Sequence, residues 1–265
     1  MQNDAPVVTT DMISNNVGID EKWYEFSWYN SFENPDKVDE IKKYLEYSCA
    51  SELLSNAVPC GKSLDIGTAT GRYLRAWARL GYDSFGIDIS SDAVSITQQQ
   101  LVKSGLEAER VQKMDACGLE FANDTFRLVS CMMGTLAYIE TPQAAMHEVA
   151  RVLEPGGQFV VSNWLTSNPE LDFLVANSPM HNERLRAQTP DPAQLMRSLS
   201  DAGLVPAKSQ YAVLLPVQTI LHLVTSHEGE PAGFLDRVAL LERNVRNLFP
   251  RRQGQIFVIL AQKAI

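Results

Sequence analysis

Asp65-Ile66-Gly67-Thr68-Ala69-Thr70-Gly71 joins an apolar run to a helical one, and no other stretch constrains the fold as tightly. Lys62-Ser63-Leu64-Asp65-Ile66 reads as a short buried strand. Residues 72–80 carry apolar side chains at helical spacing and stop at Gly81. A strand that turns through glycines into a helix leaves backbone N–H groups unpaired beside whatever lies against the loop. Gly67 and Gly71 allow the sharp turn and the close approach of a ligand.

The spacing narrows the ligand. A dinucleotide fingerprint needs glycine at positions 69 and 72, where the chain has Ala69 and Arg72. The acidic Asp65, two places before the first glycine, would repel a pyrophosphate. It is well placed to accept hydrogen bonds from a cationic amino group. A cofactor with an amino-acid tail and no phosphates is favoured, and S-adenosylmethionine fits. A second strand ends in Asp88, about 20 residues beyond the glycine loop, where a ribose diol is held in related sites. Met114-Asp115-Ala116 forms a third station, suited to an adenine amino group.

A fourth strand is expected over 127–133, then a helix over 142–153, then the turn Glu154-Pro155-Gly156-Gly157 and a strand over 158–162. With these in place the chain resembles the class I S-adenosylmethionine-dependent methyltransferases. The matching residues are Leu64 to Gly71, Gly86-Ile87-Asp88-Ile89-Ser90, Asp115-Ala116, and Glu148 to Gly157, in order and at the family's spacing. The resemblance implies that the cofactor lies against Asp65, Gly67, Thr68, Ala69, Gly71, Asp88, Ile89, Asp115, Ala116 and Met132. It departs from the family at Ala69, where glycine is usual; a methyl group there is expected to crowd the loop slightly.

The alternation of strands and helices from 60 to 162 implies a parallel sheet with helices on both faces, an α/β doubly wound class. The resemblance adds a seven-stranded, mostly parallel sheet with an antiparallel last strand. Residues 207–216 and 255–261 match the last two strands, joined by a long connection, 217–254, that includes a helix near 231–248. Residues 1–58 are expected to form an N-terminal aromatic and helical cap on a domain spanning 59–265. Within the cap, 22–32 holds six aromatics, and a helix runs from about 36 to 55 with Val38, Ile41, Leu45 and Leu53 as its buried stripe. An irregular insertion occupies 165–190.

A net charge of −9 repels phosphate backbones, so no nucleic-acid partner is expected. Met133-Gly134-Thr135-Leu136 stands where base-directed amino methyltransferases carry Asn-Pro-Pro-aromatic. No apolar run approaches the roughly 20 residues of a membrane helix. The four cysteines show no metal-ligand spacing and suit a reduced, cytoplasmic protein, with no metal site expected. A monomer or homodimer is expected.

The activated sulfonium of such a cofactor leaves the protein the work of holding and aiming. The expected activity is methyl transfer to an oxygen or nitrogen of a small molecule. The alternatives are attack at another carbon of the sulfonium, releasing methylthioadenosine, and a non-catalytic regulator that binds the cofactor intact. Acceptor contacts are expected from Trp28, Tyr29, Asn163 and Trp164. Tyr29, Tyr138 and His181 are the candidates for catalysis.

Overall fold

The structure, a computed structural model, describes residues 38–54, 59–166, 189–225 and 231–265. Helix α1 (Val38–Leu54) precedes β1 (Lys62–Ile66), α2 (Arg72–Leu80), β2 (Asp83–Asp88), α3 (Ser91–Lys103), β3 (Val111–Lys113) and β4 (Phe126–Cys131). Then come α4 (Pro142–Val152), β5 (Leu153–Trp164), α5 (Pro192–Asp201), β6 (Leu204–Ala212), α6 (Val217–Thr225), α7 (Pro231–Leu248) and β7 (Ile256–Lys263). The strands form one seven-stranded sheet in the order β3-β2-β1-β4-β5-β7-β6. β7 runs antiparallel to both neighbours, pairing Val161 with Ile259 and Tyr211 with Phe257. The remaining pairings are parallel.

Because helices cover both faces, the central strands β1 and β4 are buried along nearly their whole length rather than at alternate residues. Successive residues still divide between the faces. Leu128, Val160, Val258 and Leu260 pack under α1, α2, α6 and α7, against Ile41, Leu45, Trp77, Ile220 and Leu235. Val129, Phe159, Val161 and Ile259 pack under α4 and α5, against Met146, Val149, Leu195 and Leu199. Helix α1 thus contributes to the core under one face of the sheet.

The helix ends follow local chemistry. Gly81 closes α2 in the left-handed region (φ 108°), its N–H reaching the carbonyls of Ala78 and Trp77. Asp191 caps α5 by accepting from the Gln194 N–H at 2.7 Å, and Pro192 occupies the first turn.

Several strand boundaries differ from the sequence expectation; β4 stops at Cys131 rather than 133 and β7 runs on to Lys263, and the shifts in β5 and β6 are larger. β5 begins at Leu153, so the Glu154-Pro155-Gly156-Gly157 turn lies inside the strand, across a register shift between Phe126 and Leu128. β6 covers 204–212 rather than 207–216. The strand stops because Val213 adopts φ 59°, a conformation costly for a β-branched residue. That turn is held by Glu242 of α7, whose carboxylate accepts from the N–H groups of Val213 at 2.8 Å and Leu214 at 3.0 Å. Glu242 is buried, which pushes its carboxyl up to about 7. Arg246 lies 3.6 Å away and also pairs with Glu52 of α1 at 2.7 Å.

Candidate active site

β1, β2, β3 and β4 are adjacent and parallel, so their carboxyl ends share one edge of the sheet. The order reverses between β1 and β4, and ligands of open α/β sheets collect at such a reversal. Sequence-selected residues from all four strand ends meet there. Asp65 is near the end of β1, and 67–71 forms the loop into α2. Asp88 ends β2 and Ile89 follows it. Asp115 and Ala116 follow β3, and Met132 follows β4.

The glycine loop is pinned from both sides. Thr68 N–H donates to the Ile87 carbonyl at 3.0 Å, and Ala69 N–H donates to Asp88 Oδ2 at 2.9 Å. The Thr97 hydroxyl of α3 donates to the Ala69 carbonyl at 2.5 Å. Gly67 (φ 67°) and Gly71 (φ 76°) are left-handed, and a Cβ on Gly67 would run into the Thr135 side chain. The loop therefore touches the turn that follows β4. Ala69 is also left-handed, at φ 50°. The departure from the family's glycine is thus a matter of backbone conformation. Ala69→Gly removes a cost of about 1–2 kcal/mol and adds about 0.5–1 kcal/mol of chain entropy. Urea unfolding should show stability unchanged or slightly raised; a loss would contradict this account.

Asp65 is buried, and its Oδ1 accepts from the Ser130 hydroxyl at 2.6 Å. Ser130 in turn accepts from the Trp77 indole N–H at 2.9 Å, which fixes the hydroxyl's direction. Burial pushes the Asp65 carboxyl up to about 7, against the opposing hydrogen bond from Ser130. Asp88 is raised for the same reason, although the N–H groups of Ser90 and Ala69 oppose the shift. Asp115 is exposed and folds onto itself, its Oδ1 accepting from the Cys117 N–H at 2.9 Å.

Glu148 and Arg151 of α4 hold the segment that carries Asp115. Glu148 accepts from the Leu119 N–H at 2.7 Å, and Arg151 donates to the Leu119 and Phe121 carbonyls at 2.7 Å each. The guanidinium beside Glu148 holds its carboxyl below the usual range.

On the acceptor side, β4 is followed by a left-handed pair, Met133 (φ 58°) and Gly134 (φ 74°). Gly134 N–H donates to the Ser162 carbonyl at 3.1 Å. A Cβ on Gly134 would stand 2.7 Å from Trp164 Cδ1 and 3.2 Å from Asn163 Oδ1. Asn163 is 2% exposed, and neither polar atom of its amide has a hydrogen-bond partner among the described residues. Tyr138 closes the short 3₁₀ turn after β4 and is 45% exposed. Trp28, Tyr29 and His181 lie outside the described residues.

Sequence reasoning missed Glu46. It sits on the buried stripe of α1, fully enclosed, and burial raises its carboxyl. Its oxygens accept from the Tyr73 hydroxyl at 2.5 Å, the Met133 N–H at 3.0 Å and the Ser162 hydroxyl. A lone acid between Leu45 and Cys49 at core spacing was the available signal.

The set suits a cofactor with cationic and hydroxyl groups. Carboxylates stand at three neighbouring strand ends, a positive-φ loop leaves room against the backbone, and Asp65 is a buried acid that an ammonium would relieve.

A family model described as a methyltransferase domain matches residues 64–161. The methyltransferase YcgJ of Bacillus subtilis is 29% identical over 136 residues, 51% of this chain and 50% of that protein. The match thus spans only half the length of that relative. A ubiquinone biosynthesis O-methyltransferase of Pectobacterium atrosepticum is 21% identical over 211 residues, 77% of this chain and 84% of that one. Among solved structures, the [4+2]-cyclase SpnF aligns with a TM-score of 0.55 at 21% identity, covering 82% of this chain and 80% of that one. The sheet order, the glycine loop and the matched domain agree: residues 64–161 form a methyltransferase domain of the class I S-adenosylmethionine-dependent kind, and S-adenosylmethionine is its cofactor.

Proposed function

We propose that the protein moves the methyl group of S-adenosylmethionine to an oxygen or nitrogen of a small molecule held at the carboxyl edge of β4 and β5. The observation that carries this reading is Asn163, a buried amide with both polar atoms unpartnered beside the Met133-Gly134 turn. An unsatisfied buried amide costs about 1–3 kcal/mol. A small ligand with a donor and an acceptor would offset that cost. The Pectobacterium relative, named for a small-molecule O-methylation, supports the same class of acceptor.

When bound, the cofactor supplies an activated methyl group, and the chain supplies position. In this reading Asp65 accepts from the ammonium, Asp88 from the ribose hydroxyls and Asp115 from the adenine amine. The N–H groups of 67–71 line the loop, with Thr68, Ala69 and Gly71 fixing its path. Ile89, 49% exposed beside Asp88, and Met132 with Ala116 offer apolar cover. Trp164, with Trp28 and Tyr29, walls the acceptor and excludes water; Tyr138, Tyr29 and His181 are the groups proposed to take its proton. Residues 1–58 act as the cap in this reading, and the protein works as a monomer or homodimer in the cytoplasm. Among the described residues no helix is long and apolar enough to cross a membrane.

Replacing Asp88 with Ala should weaken S-adenosylhomocysteine binding by about 1–3 kcal/mol, with no comparable binding of NAD by the parent protein. Equal affinity in calorimetry would remove Asp88 from the site.

A second reading has one observation behind it. A solved structure of the same fold is named a cyclase, so the fold by itself leaves the reaction open. Mass spectrometry with a metabolite library separates the outcomes. S-adenosylhomocysteine marks methyl transfer, methylthioadenosine marks attack at another carbon, and intact cofactor marks a binding role.

A further inference from the structure

Glu46 joins three elements that are far apart in sequence. From the middle of α1 its carboxylate reaches Tyr73, which lies one residue into α2 and just past the glycine loop. The same carboxylate reaches Met133, just past β4, and Ser162, the residue before Asn163 on β5. Met133 N–H is shared between Glu46 Oε1 at 3.0 Å and Ser162 Oγ at 2.8 Å. Met133 is left-handed, and an L residue holds that conformation only when its surroundings enforce it.

We propose that Glu46 is a positioning residue that couples the cofactor loop to the acceptor edge through Tyr73 on one side and the Met133-Gly134 turn on the other. This deepens the functional reading above and rests on it. Filling the loop orders the start of α2. Tyr73 carries that order to the Glu46 carboxylate, and the carboxylate tightens the turn against which Asn163 and Trp164 pack. The acceptor pocket is then completed only when the cofactor is in place. None of the three hydrogen bonds touches a reacting atom, so the effect is one of geometry rather than proton transfer.

A buried carboxylate removed outright risks unfolding the chain, so the informative variant is Tyr73→Phe. It removes the hydrogen bond from α2 while leaving Glu46 on Met133 and Ser162 and within the field of the Arg72 guanidinium. The measurement is amide hydrogen exchange at Met133 and Gly134 with and without S-adenosylhomocysteine, beside calorimetry of the same ligand. In the parent protein the ligand should slow exchange at both amides at least tenfold. In Tyr73→Phe it should bind within threefold of the parent affinity and slow those amides less than twofold. Glu46→Gln should restore most of the parent response: its amide oxygen keeps Met133 and Ser162, and its nitrogen can donate to the tyrosine oxygen. Equal protection in Tyr73→Phe and the parent would overturn the coupling. So would parent protein that binds the ligand without any change at Met133. If the parent does not bind S-adenosylhomocysteine at all, the functional reading falls first and the coupling falls with it.

Discussion

S-adenosylhomocysteine, which carries the cofactor's amino-acid tail, should bind about tenfold more weakly for each pH unit below 7 and level off above it. The cause is Asp65, a carboxyl pushed up to about 7 by burial. Only its ionised form attracts an ammonium. Below 7 the carboxyl holds a proton that the ligand must displace, so binding there releases one. At pH 5 the loss reaches about a hundredfold, or about 2.7 kcal/mol. At more alkaline pH, where the ligand's own α-amino group loses its charge, affinity falls again.

The unliganded fold has the opposite slope. A carboxyl raised above its ordinary 3.8 adds stability that is complete below that value and lost as pH rises through about 7. The ligand-induced rise in melting temperature should accordingly grow between pH 5 and 7. Asp65→Asn should bind weakly with a flat profile. A level affinity for the parent protein across that window, by calorimetry, would rule out Asp65 as the ammonium partner.

Glu242→Ala should cost about 3–5 kcal/mol in urea unfolding, the usual loss when one member of a buried charged set is removed. Glu242 is the acceptor for the Val213 and Leu214 N–H groups, which have turned out of β6. Without the carboxylate those donors are left buried, and Val213 loses the contact that balances its left-handed backbone. Arg246 keeps Glu52 as a partner, so its own charge is not stranded. Glu242→Gln retains one acceptor oxygen and should cost distinctly less. A loss below about 1 kcal/mol for the alanine variant would mean that the turn relaxes to an ordinary conformation without it.

The sheet and the gathering of acids and glycines at one of its edges were legible because backbone geometry demands particular residues at fixed spacing. A strand that turns sharply into a helix needs Gly67 and Gly71. A strand end facing a diol needs an acid such as Asp88. The helix at 231–248 was legible from its proline start. What escaped was set by contacts across the fold. The end of β6 depends on Glu242, which lies almost thirty residues further along the chain. Glu46 carried no sequence signal of a partner, since Tyr73, Met133 and Ser162 become its neighbours only when α1 settles on the sheet. Asn163 was placed by the rule that ligands gather beyond strand ends, but its unpartnered amide is visible only in three dimensions.

β7 follows every other strand in sequence yet lies between β5 and β6. A nascent chain that has left the ribosome as far as β6 cannot close its sheet. β5 and β6 then both present open hydrogen-bonding edges, and the edge of β5 borders the apolar run Phe159-Val160-Val161. Unpaired edges of this kind are templates for aggregation. Closing the sheet requires β7 to enter between β5 and β6, a non-local pairing that carries a loop-closure cost. Between the synthesis of β6 and that of β7 the edge of β5 stays open, and slower translation there lengthens its exposure.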